Sequence, residues 1–454
     1  MHDLTCSGVV TALPVSRGYL PTTPLTWWQG RPVSYQVFSA HAADLANRLP
    51  ARGAVLNLCE DRAAFILGWV AALSRGLATV LPADRTARAI SQATADSGAV
   101  CALIDGEAQE YRCAAVPCLR IGYDRPVVGT NAGLPIIAAD QIAAILYTSG
   151  STGRPEPLVK HWGGLVSAAH TLGTMLGWQL PQGGSVIGAV APQHMYGLET
   201  TVMLPLQWGG VIRPERPLLP ADMIAALDSA ESPAWLMVTP LHATSYVEAG
   251  VNCNVHSPAG IISSTMPLAA TTAATLEQLW DTPVWEIYGS TETGMIGLRR
   301  TAQTATWQLV DDLSLTFIDA EAVVSGRAGM PAQKLHDQLQ SDDMNHFVLL
   351  GRNSDMVKIG GKRAMLPELN AILCALPGVF EAALVQPEDG DRLVALVVAD
   401  AGLDAHQIRD ALVQRFDPAF LPRPVWLVDR LPRNDNGKLP RQALLDLITR
   451  LRTT

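Results

Sequence analysis

Three stretches of this chain carry residues that could handle a polyphosphate. Thr148-Ser149-Gly150-Ser151-Thr152-Gly153 places four hydroxyls and two glycines in six residues. Glycine lets backbone amides approach an anion closely, and hydroxyls donate to phosphate oxygens. Lys160 follows as a compact positive charge. The apolar run Ile142 to Tyr147 before the loop has strand length, so a strand is expected to feed a phosphate cradle. The loop is not of the GxxxxGK[ST] type, because Gly153 is followed by Arg154-Pro155-Glu156. A flexible Ser/Gly turn is the competing reading.

The second stretch is Tyr288-Gly289-Ser290-Thr291-Glu292-Thr293-Gly294, after a short strand expected at Val284 to Ile287. It offers a ring for stacking, a hydroxyl for a phosphate, and a carboxylate. A carboxylate beside a phosphate is repulsive unless Mg²⁺ lies between them. The alternative is an exposed turn. The third stretch, Leu431 to Arg441, presents Lys438 from a Gly/Asn loop. His194 and Tyr196 follow a strand expected at Ser185 to Val190, and Ser263-Ser264-Thr265-Met266-Pro267 follows another. Ligands of open α/β sheets bind beyond the carboxyl ends of strands, so these residues, with Trp235 and His242, are candidates for a pocket wall. Ordinary core packing is the competing reading.

The elements that must position these residues alternate. Strands are expected at 54–59, 78–81, 99–104, 143–147, 185–190, 235–239 and 259–263, with helices at 35–49, 63–73, 164–176 and 268–280. That alternation implies βαβ units and a parallel sheet. Residues 301–350 look β-rich, and an α+β module of about 100 residues, a common size for a small domain, follows the polar junction Gly351 to Asp355.

Composition sets limits. A chain of 454 residues exceeds one compact core, and 48% hydrophobic with 17% charged residues fits a globular protein. A net charge of −9 disfavours a general nucleic-acid binder. The seven cysteines form no CxxC pair, so reduced thiols in a cytoplasmic protein are expected rather than a zinc site. No signal peptide is evident at the amino end, and the most apolar stretch, Ala63 to Ser74, is well short of the ~20 residues that span a bilayer.

Four motifs in order resemble the adenylate-forming superfamily, which includes acyl- and aryl-CoA synthetases, peptide-synthetase adenylation domains and luciferases. They are YTSGSTGRPEPLVK, IYGSTETG, LLGRNSDMVKIGGKR and LPRNDNGKLPR. The resemblance covers most of the chain. It implies an α/β fold with a large N-terminal domain of mainly parallel sheets flanked by helices, a small β-barrel-like part, and a small mobile α+β C-terminal domain. The expected boundaries are 1–351 for the first domain, 352–355 for a hinge at Arg352 to Asp355, and 356–454 for the lid.

The same resemblance implies roles. Thr148 to Gly153 would hold the ATP β- and γ-phosphates, with Lys160 nearby. Tyr288 would stack on adenine, with Gly289 and Ser290 in the same motif and Ser264 and its neighbours opposite. Thr291 would bind the α-phosphate, and Glu292 with Thr148 the Mg²⁺. Asp337, fifteen residues before Arg352, would take the ribose hydroxyls with Arg352. His194 would sit near the acid, and Lys438 would bridge carboxylate and phosphate. The implied reaction is activation of a small aryl or acyl carboxylic acid by ATP, then transfer to the thiol of CoA or of the phosphopantetheine of an acyl carrier protein. Arg423, Arg430, Arg433 and Arg441 could form a basic patch for such a carrier.

The chain departs from the family in places. Pro155-Glu156-Pro157 stands where Pro-Lys-Gly is usual, Ser354 stands at the hinge position, and the GExxxxG-type stretch before Asp337 is missing. The N-terminal region is short, as in stand-alone ligases that load carrier proteins. The first departure leaves open a nucleotide-binding homologue without ligase activity.

Overall fold

The computed structural model describes residues 12–453 apart from 108–110, 112–114, 126, 128–132, 148–155, 181–183, 231–232, 251–256, 320, 342, 353–355, 388–391 and 434–438. The chain forms two compact units. The first comprises residues 1–315, 324–333 and 344–346, and the second 316–323, 334–343 and 347–454.

Besides the two-stranded pair Ala12–Pro14 with Ile136–Ala138, the first unit holds two larger sheets. One has six strands in the order Pro157–His161, Ile142–Tyr147, Ala78–Leu81, Ala54–Asn57, Ala99–Ile104, Cys118–Arg120. All its neighbours run parallel except the edge strand Pro157–His161, which is antiparallel to Ile142–Tyr147. Strands covered on both faces read as apolar runs, as residues 54–56 of the strand Ala54–Asn57 do. Pro157 is the first residue of an edge strand, where its missing N–H removes no internal ladder bond.

The second sheet has a parallel centre of Val211–Ile212, Ser185–Gly188, Ala234–Val238, Gly260–Ser263 and Val284–Ser290. Val284–Ser290 then turns back antiparallel into Gly294–Arg299, which pairs with Trp307–Leu309. The sequence suggested a strand ending at Ile287. The strand instead runs on through Tyr288, Gly289 and Ser290, and only residues 291–293 make the turn.

Helix Arg62–Ser74 explains how the two sheets share a core. It is apolar on every side, as a fully buried helix must be. Residues 62–73 are all buried, and the Asp61 carboxylate caps it by accepting from the Ala63 and Ala64 amides. Its apolar side chains join one cluster with Val55, Leu81 and Leu146 of the first sheet and Leu25 and Ile212 of the second. Helices Pro220–Asp228, Pro240–Glu248 and Ala270–Trp280 cover another face, packing on Ile187, Leu236, Ile261 and Val284.

In the second unit, Asp337–Gln340 runs antiparallel to His346–Arg352 with Asp337 opposite Arg352. The hairpin Met356–Ile359 to Lys362–Met365 turns at Gly360 and Gly361, both at positive φ. A sheet ordered Val379–Val385, Val394–Ala399, Val425–Leu427 has helices Leu366–Cys374 and Ala405–Val413 in one core and Arg441–Thr453 in another.

Candidate active site

The candidate residues of the first unit gather at the carboxyl ends of strands. Tyr147 ends one strand just before the hydroxyl loop, His194 follows Ser185–Gly188, Ser264 follows Gly260–Ser263, and Tyr288 to Glu292 close Val284–Ser290. This is the end at which open α/β sheets bind ligands. Thr148, Ser149, Gly150, Ser151, Thr152, Gly153 and Lys438 lie outside the described residues.

The turn carrying Glu292 is held by side chains from three distant parts of the chain. Lys160 Nζ donates to the Glu292 carbonyl at 2.7 Å. Arg327 donates to the Thr293 carbonyl at 2.8 Å and the Met295 carbonyl at 2.9 Å. Glu199 Oε1 accepts from the Met295 amide at 3.3 Å. Arg327 is anchored in turn by both oxygens of Asp312, at 2.8 and 2.9 Å, and Ser167 donates to Asp312 at 2.8 Å. Gly294 sits between the two buried charges with φ +69°. A Cβ there would lie 2.5 Å from Glu199 Oε1 and 2.9 Å from an Arg327 nitrogen, so only glycine fits.

The charges of this frame tune one another. Burial raises the Glu199 carboxyl above its usual range, opposed by Arg327 and Lys160. Burial also acts on Asp312, but its bonds from Arg327 and Ser167 outweigh that and hold it low. Burial pushes the half-buried Lys160 ammonium down to about 8, with Glu199 opposing and Arg327 reinforcing the shift.

The Glu292 residue is exposed, whereas Thr291 is half-buried. No group of three or more His, Cys, Asp or Glu side chains able to hold a metal occurs among the described residues. A single exposed carboxylate fits Mg²⁺ delivered on phosphates, since that ion keeps waters and takes only one or two protein carboxylates.

Tyr288 is half-buried, its ring 5.7 Å from that of Trp307. Ser264 Oγ donates to the Ile287 carbonyl at 2.9 Å and ties two strand ends together. Its neighbours stand out. The Ser263 and Thr265 hydroxyls are buried without a protein partner, and Thr265 has φ +85°, a conformation that is strained for a β-branched residue. Unpaired buried hydroxyls and strain mark this turn, and neither is visible in the sequence.

Tyr196 does not offer its hydroxyl to a pocket. It donates to the Ile262 carbonyl at 2.7 Å, with the Val238 carbonyl 3.0 Å away. Trp235 pairs in register with Gly260, three residues before Val238, and its ring stacks on Trp178 at 4.8 Å. It packs the opposite end of the strand. His242 Nδ1 accepts from the Thr239 amide at 3.3 Å and lies 2.8 Å from its hydroxyl, which places the ring proton on Nε2. Burial and Arg216 lower its pKa to about 4, so the ring is neutral at physiological pH.

In the second unit the register sets Asp337 opposite Arg352, fifteen residues further along the chain. Arg433 pairs with Glu381 at 3.4 Å, and Arg441 donates to the Gln386 carbonyl at 2.9 Å.

Sequence reasoning missed Glu199, Asp312 and Arg327. Glu199 lies within GLETT, and the Arg327 segment GRAGMP has no periodic pattern. A buried charge in an otherwise apolar helical stretch was the one available signal, because such a charge requires a partner.

Comparison with known proteins identifies the family. Residues 20–333 match the AMP-binding enzyme family, and residues 368–438 match the AMP-binding enzyme C-terminal domain. The 4-coumarate–CoA ligase of Rhodobacter capsulatus is 33% identical over 308 residues, covering 65% of this chain and 74% of that protein. The fold superposes on ATP-bound MatB from Rhodopseudomonas palustris with a TM-score of 0.82 at 22% identity, over 95% of this chain and 97% of that one. It also superposes on MenE, the O-succinylbenzoate–CoA synthetase of Bacillus subtilis solved with ATP and magnesium, with a TM-score of 0.79 at 19% identity, over 93% and 96%. The chain belongs to the AMP-binding enzyme family, and so to the adenylate-forming superfamily of acid-activating ligases.

Proposed function

We propose that this protein activates a small aryl or acyl carboxylic acid as its acyl-adenylate and then transfers the acyl group to a thiol, that of CoA or of a carrier-protein phosphopantetheine. The observation that carries this reading is the bond from Lys160 to the Glu292 carbonyl, which joins the strand after the hydroxyl loop to the carboxylate turn. The carboxyl ends of the strands support it by gathering the remaining groups of the first unit.

In the first step a carboxylate oxygen of the acid attacks the α-phosphorus of ATP. The bond to the β-phosphate oxygen breaks, and pyrophosphate leaves with its electron pair. Two anions must meet, so fixed cations and donors at the developing charge are the main lever. Thr148 to Gly153 would hold the β- and γ-phosphates. Lys160 would supply the positive charge that Glu156 does not. Thr291 would donate to the α-phosphate, Tyr288 would hold the adenine against Ser264, and Asp337 with Arg352 the ribose. His194 would line the acid site. Mg²⁺, held by Glu292 and Thr148, would supply charge neutralisation of the phosphates. Lys438 would bridge the acid carboxylate and the α-phosphate.

In the second step the thiol sulfur attacks the carbonyl carbon of the mixed anhydride, and AMP departs with the bridging oxygen. The attacking thiol would need room at the carbonyl carbon, and Lys438 would no longer be needed there. A swing of residues 356–454 about 352–355 would meet both needs. The 4-coumarate–CoA ligase relative, whose name specifies CoA, favours a thiol acceptor.

The test is the Lys438→Ala variant in two half-reactions. The expected result is loss of acid-dependent pyrophosphate exchange by about 10²–10³, the effect of one preorganised stabilising group, with transfer from a supplied acyl-adenylate to CoA or phosphopantetheine retained. Equal loss of both half-reactions would contradict the two-state lid.

A further inference from the structure

We propose that Glu199 and Arg327 are positioning residues that fix the turn Thr291 to Gly294, so that the Glu292 carboxylate is presented to phosphate-bound Mg²⁺. This rests on the reading of Glu292 given above. Neither residue belongs to the four motifs that resemble those of the family.

Backbone accounting carries the inference. A hairpin turn ordinarily leaves its peptide groups to water, and exposed turns are among the mobile parts of a fold. Here Lys160 and Arg327 occupy the carbonyls of Glu292, Thr293 and Met295, and Glu199 occupies the Met295 amide. The side-chain group in each of these bonds is an ionisable one, and charge-assisted bonds are roughly twice as strong as neutral ones. Glu199 and Arg327 are only 4% and 6% exposed. Burying two charged side chains is expensive, and a neutral pair could have packed the same volume. The Arg327 fork spans one carbonyl of the turn, that of Thr293, and one of the strand returning from it, that of Met295, while Asp312 holds its other edge, so the guanidinium has a single orientation. Thr293 locks the turn from within, its hydroxyl 3.1 Å from that of Ser290.

This set of contacts rigidifies the segment between Glu292 and the returning strand. The Glu292 residue itself is left exposed. A carboxylate on a fixed turn meets an arriving ion without first ordering its own backbone, which is the benefit of preorganisation.

The experiment is calorimetric titration of ATP into the full chain with and without Mg²⁺, for wild type, Glu199→Gln, Arg327→Met and Arg327→Lys, alongside thermal melting of each. Wild type is expected to bind ATP at least about tenfold more tightly with Mg²⁺. Arg327→Met is expected to reduce that ratio to about two and Glu199→Gln to about three to five. Arg327→Lys keeps the charge but not the fork, so it should fall between Arg327→Met and wild type. ATP affinity without Mg²⁺ should change less than twofold. An unchanged ratio in both neutral variants, or an equal loss of affinity with and without Mg²⁺, would overturn the positioning role, since mere loss of packing weakens both alike. Metal-dependent binding by wild type without acid-dependent pyrophosphate exchange would defeat the proposed function and leave this inference standing.

Discussion

The ammonium of Lys160 and the carbonyl of Glu292 lie 2.7 Å apart, although 132 positions separate the two residues in the chain. One contact thus ties the strand that leaves the hydroxyl loop to the turn that carries the carboxylate. An ammonium has three donors, and this bond uses one. Lys160→Met is expected to lower kcat/KM for ATP in pyrophosphate exchange by about 10²–10³. Lys160→Arg should retain more activity, because it keeps the charge. Steady-state titration of ATP at saturating acid measures this, and a methionine variant with wild-type kcat/KM would remove Lys160 from the site.

Gly294 predicts a stability effect at the same turn. Its φ of +69° and the 2.5 Å that would separate an added Cβ from Glu199 Oε1 exclude a side chain. Gly294→Ala should cost about 1–3 kcal/mol from the backbone conformation alone. Thermal melting should therefore show a clear fall. The variant should also lose Mg²⁺-dependent ATP affinity, because Glu199 and Arg327 must move aside.

Glu286 makes a second buried network that serves stability rather than chemistry. It accepts two bonds from Arg299, at 2.7 and 2.8 Å, one from Thr301 and one from the Leu268 amide. Removing one partner of a buried ion pair costs about 3–5 kcal/mol. Glu286→Ala should lower the melting temperature strongly, while replacing half-buried Glu321, whose side chain is 43% exposed and pairs with Lys334, should change it little.

The motifs were legible because each joins an unusual composition to a strand end. The parallel strands were legible because burial on both faces leaves a continuous apolar run, as in Ile142–Tyr147. Strand Pro157–His161, which carries Lys160, escaped notice because Pro155 and Pro157 read as turn residues. Tyr288-Gly289-Ser290 likewise reads as a turn, yet it lies in a strand because Gly294–Arg299 returns alongside it. The frame of Glu199, Asp312 and Arg327 was hidden for a different reason. Its members are far apart in sequence, and only tertiary packing assembles them.

His242 gives a pH signature. Its pKa lies near 4 when folded, against 6.5 unperturbed, through burial and then Arg216. Between those values the unfolded chain binds a proton that the folded chain does not, so stability is lost as pH falls from 6.5 toward 4. At about 1.36 kcal/mol per unit, the full loss is roughly 3 kcal/mol. His242→Asn keeps an acceptor for the Thr239 amide but cannot titrate. Denaturation from pH 7 to 4 should show a smaller decline for the variant, and parallel curves would refute the neutral histidine.

Acid-dependent exchange of labelled pyrophosphate into ATP tests the proposed activity most directly. Run over a panel of aryl and fatty acids with Mg²⁺ present, it should rise well above the no-acid control for at least one acid, with AMP rather than ADP as the nucleotide product once a thiol is added. ATP binding without exchange for any acid in the panel, or ADP as the product, would contradict activation through an acyl-adenylate.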